Sequence, residues 1–154
     1  MQIKKILNSK ETKEIEDILE KNYSCNFRLR DYILILTADD KIWICSREIA
    51  KIEMKNLKRV NAIGLYFGKL KRNNKIQLSI EGSMLVGKTA RKNVVLVENI
   101  QEYIRGKDTF GICENCEKDN FVIVKNKNDF FGSGILRENG VIENILPKSR
   151  RFIE

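Results

Sequence analysis

One twenty-residue stretch, from Ile63 to Gly82, constrains this chain more than any other. Leu65, Phe67 and Leu70 precede a turn at Asn73-Asn74, and Ile76, Leu78 and Ile80 then alternate with polar residues. Apolar residues before the asparagines and strict alternation after them predict a β-hairpin with one face in a core and the other in water. The wet face is biased in charge. Between Met54 and Ile80 the chain carries seven cations (Lys55, Lys58, Arg59, Lys69, Lys71, Arg72 and Lys75) and no acid. Such a hairpin carries a positive field, although lysines at a hairpin tip also keep a sheet edge soluble and block strand addition.

The sequence around the hairpin predicts a sheet with helices packed on it. Asn8 followed by Glu11 has the form of a capping box, and Ile15, Ile18 and Leu19 at helical spacing predict a helix from about Ser9 to Lys21. Strands are expected over Asn26 to Arg30, Tyr32 to Thr37 and Ile42 to Cys45, with a turn at Asp39-Asp40. Ile42 and Trp43 must face opposite ways there. Ser46 would cap a short helix holding Ile49, Ala50 and Ile52.

The pattern changes near Gly82 to Lys92, with a Ser-capped turn or helix over Ser83 to Val86, and a domain boundary is placed there, giving domains 1–87 and 88–154. The first holds 17 basic and 11 acidic residues, the second 12 and 10. Most of the excess charge is therefore amino-terminal. In the second part, Val94 to Val97 suits a buried strand. A helix bearing Ile100, Tyr103 and Ile104 should end at a left-handed cap on Gly106. Strands over Phe121 to Val124, Phe130 to Leu136 and Val141 to Leu146, the last two joined at Asn139-Gly140, predict a small, mostly β barrel. Pro147 ends the last strand.

A net charge of +8 favours a polyanionic partner such as nucleic acid. No apolar run approaches the ~18 residues a membrane span requires, and no signal peptide is evident, so a cytoplasmic protein with no membrane partner is expected. The four cysteines are then expected to be reduced.

Three motifs bear on chemistry. Gly82-Ser-Met-Leu-Val-Gly-Lys-Thr89 satisfies the phosphate-loop pattern, but a strand follows within a few residues where a long helix is needed, and the match is read as accidental. Cys113 and Cys116 have the spacing of half a zinc site or a redox pair, without a second pair or any histidine to complete it. No metal and no cofactor is expected. The absence of histidine also removes the commonest general base, and neither catalysis nor a small-molecule substrate is expected. The terminal Lys148, Arg150 and Arg151 lie beside Phe152, a pairing of phosphate binders with an aromatic that can stack on an unpaired base. A frayed, solvated terminus would have the same composition.

Three segments in register carry a resemblance: Lys41-Ile-Trp-Ile-Cys-Ser-Arg-Glu-Ile-Ala-Lys-Ile52, the segment Ile63 to Ile80, and Phe131-Gly-Ser-Gly134. Together they resemble the Nip-seven family of archaeal and eukaryotic ribosome-assembly factors, and in lacking a carboxy-terminal extension the chain is similar to the archaeal type. The resemblance implies an α+β protein, with an N-terminal antiparallel α/β (pre-PUA) domain followed by a small PUA-like β-barrel. It further implies a non-catalytic RNA-binding factor in large ribosomal subunit biogenesis and pre-rRNA maturation. RNA would be bound through the PUA domain at Lys148, Arg150 and Arg151, with other assembly factors as further partners. From the residues themselves come Phe152 as a stacking group and Lys69, Lys71, Arg72 and Lys75 as an extension of the RNA track. The rival reading is a protein-interaction adaptor within an RNA-processing complex, whose basic surface is incidental.

Overall fold

The computed structural model describes residues 2–47 and 64–152. The expected helix after Ser46, with Ile49, Ala50 and Ile52, and the cations Lys55, Lys58 and Arg59 lie outside the described residues.

The first sheet contains β1 (Ile3–Ile6), β2 (Ile33–Thr37), β3 (Lys41–Cys45), β4 (Leu65–Lys71) and β5 (Lys75–Leu78) in sequential order, every neighbouring pair antiparallel. Helix α1 (Ser9–Tyr23) begins at the expected capping box: the Asn8 side chain accepts from Glu11 N, and the Glu11 carboxylate accepts from Asn8 N. It lays Ile15, Leu19 and Tyr23 on Leu34, Leu36, Ile42, Ile44, Phe67, Ile76 and Leu78, which form the main core. Trp43 lies with Ile35 and Cys45 in a separate cluster, so Ile42 and Trp43 do take opposite faces. Residues 26–30 are not a strand. Leu29–Asp31 forms a 3-10 turn, because the Leu29 and Arg30 N–H groups are taken by the Glu16 carboxylate rather than by a neighbouring strand.

Helix α2 (Ile80–Val86) joins the two halves. Ser79 caps it by accepting from Gly82 N, so Ile80 begins a helix instead of extending the hairpin. The second sheet runs β6 (Val94–Leu96), β8 (Asn120–Asn126), β9 (Asp129–Leu136), β10 (Val141–Asn144) and β7 (Thr109–Phe110), with β6 parallel to β8 and the other pairs antiparallel. The sheet curls, and a bridge between Leu96 and Ile112 links its first strand to the chain just after its last. Helix α3 (Ile100–Ile104) packs Tyr103 into this second core, and Gly106 takes the expected left-handed conformation at φ 95°.

The halves are joined by buried polar contacts. The Ser83 hydroxyl accepts from Gly132 N at 2.9 Å and Ser133 Oγ donates to Leu78 O at 2.9 Å. Asn93, fully buried, donates to Asn22 O at 2.7 Å. Among the described residues no helix is long and apolar enough to cross a membrane.

Candidate nucleic-acid interface

The outer face of the β4–β5 hairpin is built by register. A bulge in β4 where it pairs with β3 sets Tyr66 beside Trp43 while Phe67 turns into the main core. Beyond it, Lys69 pairs directly with Lys41 on one side and Gln77 on the other, and Lys71 pairs directly with Lys75. Arg72 sits in the turn, exposed, beside Asn73 and Asn74 at φ 64° and 54°. Asn tolerates that conformation better than most residues. Lys41 is held by Asp39 at 3.3 Å and lies 5.7 Å from the Tyr66 ring centroid. Lys75 lies in the field of Glu117. Lys69, Lys71 and Arg72 make no ion pair among the described residues. Like charges set directly across a ladder repel, and Asp39 beside Lys41 and Glu117 near Lys75 offset only part of that repulsion along the row.

Beside the cations lies an aromatic pair. The Trp43 and Tyr66 rings are 5.2 Å apart at 39°. Burial, with the charge of Asp39 behind it, pushes the Tyr66 hydroxyl up to about 12. The Trp43 indole N–H is buried without an acceptor among the described residues.

The carboxy-terminal cations separate into two roles. After Pro147 the chain makes a 3-10 turn, Lys148–Arg150, and Arg150 turns back to grip Glu81 at 3.2 and 2.8 Å. Burial disfavours the Glu81 carboxylate, but Arg150 outweighs it and holds its pKa below the ordinary value. Arg151 donates to Leu146 O at 3.1 Å and lies against Gly106, where an added Cβ would come within 2.6 Å of it. These two arginines fasten the tail. Lys148 has no ion-pair partner among the described residues, and Phe152 is exposed although its N–H is bound to Ile104 O at 2.7 Å.

Hairpin face and tail meet. Between them lies a groove of about 640 Å³, lined by Lys41, Trp43, Tyr66 and Gln77 from the first sheet and by Pro147, Ser149 and Arg150 from the tail. Sequence reasoning singled out Lys69 and Arg150 but missed Tyr66 and Trp43 as groove walls. Trp43 was legible as facing away from Ile42; the bulge that turns Tyr66 alongside it was not.

The remaining motifs resolve structurally. Gly82 lies in the first turn of α2, where a Cβ would stand 2.0 Å from the Phe67 carbonyl oxygen. That glycine lets the helix rest on β4. The amides of Gly82, Ser83 and Gly87 are bound to Ser79 Oγ, Ser79 O and Ser83 O, so no phosphate cradle is formed. Cys113 and Cys116 are joined as a disulfide, their sulfurs against Val94 O at 3.1 and 3.6 Å. The expectation of reduced thiols, which followed from the expected cytoplasmic location, is thus corrected for this pair: the two-residue spacing that also fits a redox pair brings both sulfurs to one carbonyl. Cys25 and Cys45 are free and buried, and burial raises both thiols above the ordinary value. Among the described residues no three His, Cys, Asp or Glu side chains gather as a metal site.

No family model matches this chain, and a search among curated proteins likewise finds no match.

Proposed function

We propose that the protein is a non-catalytic RNA-binding factor acting in large ribosomal subunit assembly, and that its second sheet is the PUA-like barrel of the Nip-seven resemblance. The observation that carries this reading is the row of lysines in which Lys41 opposes Lys69 and Lys71 opposes Lys75. A row whose charges repel finds its reason in a partner that neutralises it, and a polyanion releases condensed counterions when it binds there. Lys148 and the exposed Phe152 add a second contact at the tail. In this reading Arg150 and Arg151 hold the tail in place, and the partner is an unpaired stretch of pre-rRNA.

A second reading rests on a different surface. Leu96, Phe110 and Ile112, at 45%, 67% and 63% exposure, cluster where the curled sheet meets its own edge. An exposed apolar patch of this kind suits a protein partner, as the adaptor reading requires.

Anisotropy titrations of a labelled single-stranded RNA separate the two. Binding that weakens as salt rises, and becomes weaker and less salt-dependent when Lys69, Lys71 and Lys75 become Gln, supports the RNA reading. Salt-insensitive binding of another assembly factor, lost in a Phe110→Ser, Ile112→Ser variant, with no RNA binding, supports the adaptor.

A further inference from the structure

The lysine row explains attraction to a phosphate chain, but it does not explain why a groove walled by two aromatic rings lies beside it. The rings belong to Trp43 and Tyr66, the opposite wall is Pro147 and Ser149, and the volume of about 640 Å³ falls in the range of small-ligand sites. Among the described residues the groove has one guanidinium, that of Arg150, and Glu81 already binds it at both nitrogens. Among the described residues the interior therefore offers two aromatic rings, apolar surface and the uncharged polar groups of Gln77, Ser79, Ser133 and Ser149, while its charged groups, Lys41, Glu81 and Arg150, are held in ion pairs, so that no unpaired cation is left there for a phosphate. Two cations without an ion pair among the described residues stand next to its lining: Lys69 is the cross-strand partner of both Lys41 and Gln77, and Lys148 adjoins Ser149.

An aromatic interior with a cationic rim is the arrangement that holds one base of a single strand while its sugar-phosphate chain passes outside. We propose that this groove takes one unpaired nucleobase of single-stranded RNA against Tyr66 and Trp43, with the flanking phosphates on Lys69 and Lys148. This rests on the RNA-binding reading and goes beyond it, since charge alone would bind an RNA backbone without a base pocket. An acidic protein segment would satisfy the rim and leave the aromatic walls unused.

Trp43 is the only tryptophan in the chain, so its emission reports on this groove directly. Full-length protein is titrated with three probes of matched charge: octauridylate, an abasic octamer with the same sugar-phosphate chain, and an acidic peptide. Octauridylate is expected to change Trp43 emission and to bind about tenfold more tightly than the abasic chain. The abasic chain and the peptide should leave the emission unchanged. Tyr66→Leu should weaken octauridylate to the level of the abasic chain and leave abasic binding as it was. The comparison between octauridylate and abasic chain in the wild type stands whether or not that variant folds.

Equal binding of the two oligomers with no change in emission would overturn the base pocket and leave RNA binding by the charged face intact. Failure of both oligomers to bind at low salt would overturn both readings. An acidic peptide that changes the emission as strongly as octauridylate would overturn the pocket in favour of a protein ligand.

Discussion

At the scale of single residues, stability rests on a few side chains that satisfy backbone donors. Asn8→Ala removes the acceptor for Glu11 N and should cost about 1 kcal/mol in chemical denaturation. Glu16 is almost buried, and it accepts from Leu29 N at 2.9 Å and from the Arg30 guanidinium at 3.0 Å. Burial opposes its charge, but the Arg30 and Leu29 donors prevail and lower its pKa below the ordinary 4.5. A lowered carboxylate contributes stability that is present above the unfolded-state pKa and is lost as pH falls through the folded one. Glu16→Gln should therefore be less stable than wild type at neutral pH, by about 1–3 kcal/mol. The gap should narrow in denaturation curves taken below pH 4.5. The capping box was legible because both partners lie within four residues. Glu16 was not, because the donors it serves lie 13 and 14 residues away and nothing local marks it as buried.

At the scale of elements, α2 is the piece on which both sheets depend. Gly82→Ala would drive a methyl into the Phe67 carbonyl, so it should destabilise by more than about 3 kcal/mol or prevent folding. Ser83→Ala would leave Gly132 N buried without its acceptor and should cost about 1–3 kcal/mol, read as a lowered urea midpoint. Hairpin strands and turns were visible in the sequence because alternation and the Asn73-Asn74 and Asn139-Gly140 signals are local. Strands β1 and β7 were not, being four and two residues long and defined by their partners rather than by any period of their own. The expected strand at 26–30 failed for the converse reason. Its apolar residues, Phe27 and Leu29, point into the main core from a turn held by Glu16.

At the scale of the whole molecule, the excess charge of the first half was legible as a number, and only the fold shows how it is arranged. The hairpin lysines stand together on one face beside an aromatic groove, while two of the three tail cations are occupied in fastening the terminus. Arg150→Ala should accordingly loosen the tail at a cost below about 1 kcal/mol, because the pair is partly exposed. Its effect on RNA affinity should be smaller than that of the lysine row. In the proposed function this row binds a single-stranded RNA. That contact is tested most directly by the salt dependence of binding, measured by anisotropy for the wild type and for the Lys69→Gln, Lys71→Gln, Lys75→Gln variant. Each phosphate neutralised on a single strand contributes about −0.7 to the slope of log K against log salt, so the variant's slope should be shallower by about 2. A variant that keeps the wild-type slope and affinity would mean that the lysine row does not bind the RNA.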